Sequence, residues 1–269
     1  MLDPNANRQS FLGPRLAFVA ERARIGIVGL SGGGSHVAQQ LAHIGFTKIT
    51  VFDPKKMEEK HRHRGVGATD ADIVGGAAKV DIAARLIRSI CPSAVVAARA
   101  CRWQEEADRL HECDLVFGCV DTFADRQQLE ACTRRFLIPY IDVGMDVFHE
   151  PGQPPRLVGQ IVLSMPGYPC MFCLGLLNDE VLAREGRAYG DIGGRPQVVW
   201  ANGAIASTAV GLAIDLLTDW SKSLRGPVML EYDGNRQTIQ PDIRVQYRGS
   251  AMCTHYPSGL VGPPRFRVI

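Results

Sequence analysis

Between Arg24 and Asp53 the chain reads RIGIVGLSGGGSHVAQQLAHIGFTKITVFD. An apolar run of strand length, Arg24 to Gly29, enters a glycine cluster. Val37 to Ile44 then keeps helical spacing, and Lys48 to Phe52 is a second apolar run that ends on an acid. A strand, a glycine turn, a helix and a second strand this close together are the layout that usually marks a dinucleotide site. Gly29, Ser31, Gly32 and Gly33 fall where free backbone amides and the helix dipole favour a phosphate. Asp53 falls where a ribose hydroxyl is bound in such units. A glycine turn made for close packing, with an acid capping a strand, is the bland alternative. The four features together favour a nucleotide. Ser31 takes the place of the second glycine of G-x-G-x-x-G, so the dinucleotide pattern is only partly matched.

The alternation continues. Pro54 to Asp72 is polar and irregular, and Ala77 to Ile90 is helical. Residues 93–99 are a third strand, Glu105 to His111 a helix, 114–121 a fourth strand, Asp125 to Phe136 a helix, and 138–145 a fifth strand. After Met145 the pattern changes to a strand over 156–165, a tight knuckle over 167–173 and an irregular crossover from Asn178 to Pro196. A long helix follows from Gln197 to Trp220, then a hairpin turning at Asp233-Gly234-Asn235. The expected fold is α/β: a Rossmann-like, doubly wound, mostly parallel sheet extended by antiparallel strands. One domain is expected over residues 1–269, with an N-terminal segment (1–23), a nucleotide-binding half (24–145) and a sheet extension (146–269).

With 269 residues, 46% of them hydrophobic, the chain can bury a large core, and a formal charge of +2 argues against nucleic acid as a partner. The N-terminus lacks a signal-peptide pattern, and the apolar stretch Val198 to Leu217 is broken by Asn202, Ser207, Thr208 and Asp215. A buried helix, no membrane, and a cytoplasmic location are the expectations. The eight cysteines then read as reduced thiols, with Cys91, Cys101, Cys113, Cys119 and Cys132 in apolar patterns as core residues.

Three charged positions decide between a nicotinamide cofactor and ATP. Arg64 lies on the polar loop after Asp53, Lys79 opens a helix, and Asp121 closes the fourth strand. All three lie at or beyond the carboxyl ends of strands, where open α/β sheets bind ligands. Hydride transfer needs a flat apolar slot, whereas a triphosphate needs cations and a carboxylate to hold magnesium. ATP is the better fit.

With these residues in view, the chain resembles the ThiF/MoeB-type adenylyltransferases, the family that includes the ubiquitin-activating enzymes. NRQSFLG is similar to the family's Arg-Gln opening, whose arginine, here Arg8, reaches the ATP of a neighbouring subunit. Gly29 to Gly34 matches G-x-G-G-x-G with Ser31 for a glycine. DPKKMEEKHRHR resembles D-x-D-x-V-x-x-x-N-x-x-R, which assigns Asp53 to the ribose and Arg64 to the phosphates. Lys79 matches a phosphate-binding lysine and Asp121 a Mg²⁺-binding aspartate, with Arg126 in the D-x-x-x-x-R continuation. Two positions depart from the pattern: Lys55 stands where the family has an acid, and His61 where it has an asparagine near the phosphates.

The resemblance implies a homodimer that adenylates the C-terminal carboxylate of a small ubiquitin-like or sulfur-carrier protein, releasing pyrophosphate, with a downstream conjugating protein as a further partner. Arg8, Arg64, Lys79 and Asp121 would be the catalytic set. Adenylation of a short peptide's C-terminus, a non-catalytic relative and a nicotinamide-dependent oxidoreductase stand as alternatives. Family members often pair two C-x-x-C zinc knuckles. Here Cys170 and Cys173 form one, while the second reads Cys253-Thr254-His255-Tyr256. Two readings stay open: a Cys₃His zinc site with a strained C-x-H pair, or the remnants of a lost site. Residues 174–200, where thioester-forming relatives carry their cysteine, contain none, so no internal thioester is expected.

Overall fold

The structure, a computed structural model, describes residues 4–188, 196–224, 226–248 and 253–256. Its strands are β1 (Arg24–Val28), β2 (Lys48–Phe52), β3 (Val95–Arg99), β4 (Leu115–Gly118), β5 (Tyr140–Phe148), β6 (Arg156–Ser164), β7 (Val228–Asp233) and β8 (Thr238–Pro241). They form one sheet in the order β3-β2-β1-β4-β5-β6-β7-β8. Pairings among the first five are parallel, and those from β5 to β8 are antiparallel. The expected fold class is the observed one.

Alternation along the strands divides the core into two layers. Leu115, Phe117, Ile141 and Val143 point to one face, with Ile25 and Ile27 from β1. Val116 and Tyr140 point to the other, with Val28 and Phe52. The first face is covered by α2 (Gly32–Ile44), α4 (Lys79–Ile90) and α7 (Val199–Thr218), the second by α5 (Phe123–Arg135) and a 3₁₀ stretch from Trp103 to Glu112. The helix α7, with a mean hydropathy of 1.3, is long and apolar enough to cross a membrane. Its Ala201, Ile205, Ala209 and Ala213 are instead buried against α2, β5 and β6, while Val199 and Trp200 stay exposed. Small residues on that stripe let α7 lie close to the sheet.

Several local expectations need correction. The segment expected as a helix from Glu105 to His111 is 3₁₀ and kinked at Glu106 (φ −127°, ψ 39°). The crossover expected to be irregular begins with a helix, α6 (Asp179–Ala188), and its residues 189–195 lie outside the described ones. The short helices α1 (Arg15–Arg22), α3 (Asp70–Gly75) and α8 (Ile243–Arg248) were not expected. Of the five cysteines expected in the core, Cys113 is buried and Cys91, Cys101, Cys119 and Cys132 are half-buried. Cys91 caps the end of α4, while Cys101 and Cys119 follow β3 and β4, where apolar runs leave the sheet.

Candidate active site

The strand order reverses between β1 and β4, and there the carboxyl ends of β1, β2 and β4 open into a cleft. Gly29 turns the chain with φ +88°, and a Cβ on it would lie 2.4 Å from the Cys119 carbonyl oxygen. A Cβ on Gly34 would lie 1.8 Å from the Gly29 carbonyl oxygen, so the first turn of α2 sits directly on the loop. Gly32 is held equally close by Asn202 of α7, whose side chain would meet a Cβ at 2.4 Å. Gly33 lines a second, smaller pocket behind the loop. Ser31 borders both pockets at the N-cap of α2, and its Oγ is buried with no hydrogen-bond partner.

Asp53 is buried and holds the loop in shape. Its Oδ2 accepts from the Leu30 amide and its Oδ1 from the Lys55 amide, both at 2.8 Å. Each oxygen keeps a lone pair for a sugar hydroxyl. Lys79 opens α4 and is buried at the cleft wall, with Nζ 3.4 Å from His61 Nε2. His61 Nδ1 accepts from the Glu58 amide at 3.1 Å, so the neutral ring carries its proton on Nε2. Burial, then the charges of Lys79 and Arg64, lower the His61 pKa to about 4. Burial also lowers that of Lys79, against the pull of Asp53 and Asp121. Two donors therefore face each other, and a phosphate oxygen would satisfy both. Arg64 is not among the residues lining the cleft. It acts on His61 and Lys79 through its charge, and its Nε is buried without a partner.

Asp121 lines the cleft with its carboxylate 3.5 Å from the Lys55 ammonium. This arrangement does not fit a protein-held Mg²⁺ well. Asp125 is bonded to Thr122 and Gln104, and a cation already stands at Asp121. Arg126 is buried and paired with Asp142, and its Nη2 donates to the Val120 carbonyl at 3.0 Å. It clamps the chain after β4 onto β5. Arg8 does not line the cleft of its own chain: its neighbour Gln9 reaches the His43 carbonyl at the far end of α2, roughly 20 Å from the loop for a helix of 13 residues.

Residues that the sequence reading did not single out complete the walls. Phe52 and Trp103 are apolar faces suited to a base, and the Trp103 indole N–H is buried without a partner. Arg102 and Gln104 join them from the loop after β3. Their one signal in the sequence is a tryptophan just past the carboxyl end of a parallel strand.

At the other face, Cys170, Cys173, Cys253 and His255 place their ligand atoms within 4.8 Å of one another. Cys170 Sγ lies 3.6 Å from Cys173 Sγ, and His255 Nδ1 lies 3.5 and 3.3 Å from the two sulfurs. A tetrahedron with Zn–S near 2.3 Å and Zn–N near 2.0 Å requires ligand separations of roughly 3.5–3.8 Å. The donor set fits zinc, and the C-x-H spacing spans it. Phe172 stacks on the His255 ring with centroids 5.1 Å apart.

A glycine loop at the switch point, an acid closing β2 and buried cations around the cleft define a nucleotide-binding α/β protein of Rossmann type. The sequence profile of the ThiF family matches residues 4–253, and the chain belongs to that family. No curated protein sequence matches it. Among solved structures, E. coli MccB with ATP is similar over 97% of this chain and 75% of its own, at 17% identity and a TM-score of 0.72. E. coli MccB with AMPCPP and MccA covers 90% of this chain and 71% of its own, at 19% identity and a TM-score of 0.72. PaaA covers 88% and 81%, at 19% identity and a TM-score of 0.67. At these identities the likeness is one of fold.

Proposed function

We propose that this protein uses ATP to adenylate the C-terminal carboxylate of a small protein or peptide. The observation that carries the reading is a set of donors at the cleft that find no acceptor among the described residues: the Lys79 ammonium facing the His61 Nε2 proton, and the buried Ser31 Oγ on the glycine loop. Such donors suit phosphate oxygens, and two lysines at the cleft disfavour a nicotinamide. Base and ribose would lie against Phe52, Trp103 and Asp53. The carboxylate would enter through the second pocket, bordered by Ser31, Gly33, Arg126 and Asn202. One carboxylate oxygen attacks the α-phosphorus, the bridging bond to the β-phosphate breaks, and pyrophosphate leaves with its electron pair. Positioning, with Lys79, Arg64 and an Arg8 from a second subunit balancing the charge, carries the rate.

The family membership and the ATP and MccA held by similar MccB structures support this activity. A ubiquitin-like or carrier protein and a short peptide are both cargo of the right chemistry. In this reading the acyl-adenylate is the last product on the chain, because residues 174–200 lack cysteine and Cys253 is drawn into the Cys₃His set. That set would hold zinc as a structural ion. ATP–pyrophosphate exchange, with candidate carboxylates added one at a time, tests the reading. Exchange should depend on the cargo, and Lys79→Met should lower it about 10²–10³-fold. Exchange untouched by that variant would remove Lys79 from the site.

A further inference from the structure

We propose that Lys55 is a built-in cation of the nucleotide site, taking against the triphosphate the position that a divalent ion on Asp121 would otherwise take, so that ATP binds without a metal. This rests on the cleft being an ATP site.

Lys55 is placed by its backbone on both sides. Its amide donates to Asp53 Oδ1 at 2.8 Å, and its carbonyl accepts from the Lys79 amide at 3.2 Å. Lys56 bridges to Ala78, and the Met57 amide donates to the Ala77 carbonyl. Residues 55–57 thus run against 77–79, and the Lys55 side chain has to leave into the cleft. There its ammonium meets Asp121 at 3.5 Å, with both side chains about half exposed.

The remaining groups offer a metal little. Mg²⁺ takes near-octahedral oxygen ligands at about 2.0–2.1 Å, in nucleotide sites one or two carboxylates with waters and substrate phosphates. Among the described residues, no group of three or more carboxylates gathers in the cleft; Asp121 is the carboxylate an ion would use there, and the Lys55 ammonium stands on it. An ion entering between Asp121 and a phosphate would meet the Lys55 ammonium. A lysine, by contrast, is a point charge with three donors on a flexible stem. It can turn from Asp121 to phosphate oxygens while Asp121 keeps it in the cleft. A lysine where the family resemblance expects an acid raises the local charge by two units, which is the charge of the ion it replaces.

The experiment is ATP affinity by calorimetry, in buffer with magnesium and in buffer stripped over chelating resin, which leaves a bound zinc in place. Wild type should bind ATP in the two buffers within about fivefold. Lys55→Met should lose about tenfold or more in the metal-free buffer, and Lys55→Asp should bind only with magnesium. Wild-type affinity that falls more than about fivefold without magnesium overturns the proposal, as does metal-free affinity unchanged in Lys55→Met. Lys55 is exposed, so its variants should fold, and circular dichroism checks this. Should they not fold, the wild-type comparison decides alone. ATP that binds in neither buffer would overturn the reading of the cleft itself, and the two failures are distinct.

Discussion

At the scale of single residues, the site is built from groups that the free protein leaves under strain of charge or of unmet hydrogen bonds. His61 is the clearest case. Its folded pKa is about 4 against an ordinary 6.5, so between those values the unfolded ring holds a proton that the folded one does not. Stability therefore rises with pH through that window and is lost as pH falls, by roughly 2.5 kcal/mol between pH 7 and 4.5. His61→Asn, which keeps an acceptor for the Glu58 amide, should lose correspondingly less stability on acidification. Urea denaturation of both proteins at the two pH values measures the difference, and parallel losses would refute it. Most of this chemistry was legible in the sequence. Asp53, Lys79 and Asp121 stand at strand ends and a helix start, so periodicity alone locates them. The pairing of Lys55 with Asp121 was not legible, because 66 positions separate partners that only the sheet order brings together. Arg64 shows the same limit: its loop position was clear, but its place behind His61 depends on the fold of residues 54–72.

At the scale of elements, α5 and the cysteine knuckle form one unit. Glu130 accepts from the Met171 amide at 3.0 Å and from the Ser164 hydroxyl. Arg134 pairs with Glu130 and donates to the Tyr168 and Pro169 carbonyls at 2.9 and 3.0 Å. The knuckle is thus set before any ion arrives, which favours one tetrahedral geometry. One zinc per chain is expected by metal analysis, and its removal by chelator should lower the melting temperature by about 5 °C or more. Protein free of zinc, with a melting temperature indifferent to chelator, would favour a lost site. The C-x-x-C could be read from the sequence. The sequence also offered Cys253 and His255 as its partners but left an intact and a lost site open, because whether they reach the knuckle is set by tertiary packing. The capping box Thr69 to Asp72, which starts α3, was present in the sequence but passed over inside a polar stretch. The helix at Glu105 failed for the opposite reason: its periodicity was real, but the backbone is 3₁₀.

At the scale of the whole molecule, Arg8 and its own cleft lie at opposite ends of α2. Exposed Phe11, Phe18, Trp200 and Trp220 leave aromatic surface beside α1 and α7, with Phe11 edge-on to Trp220 at 5.7 Å. We expect a homodimer in which each Arg8 serves the partner's cleft. Arg8→Ala and Lys79→Met subunits, each inactive alone, should recover about one quarter of wild-type activity when mixed in equal amounts and allowed to exchange subunits. Proven exchange without recovery would place Arg8 outside the reaction. The strands of the parallel half were legible, since their apolar runs recur at regular spacing, although the connection from β3 to β4 is 3₁₀ where a helix was expected. The second half was read less well where its segments cover the sheet's far face.

Ser31, Cys119, Val120 and Asp121 border both the cleft at the strand ends and the smaller pocket behind the loop. With the nucleotide in one and the carboxylate in the other, the two would meet along this shared border. The joined product would then straddle both hollows, with one half held in each. Such a product leaves slowly and meets little water meanwhile, so the protein would act as a holding vessel for an anhydride that free solution destroys.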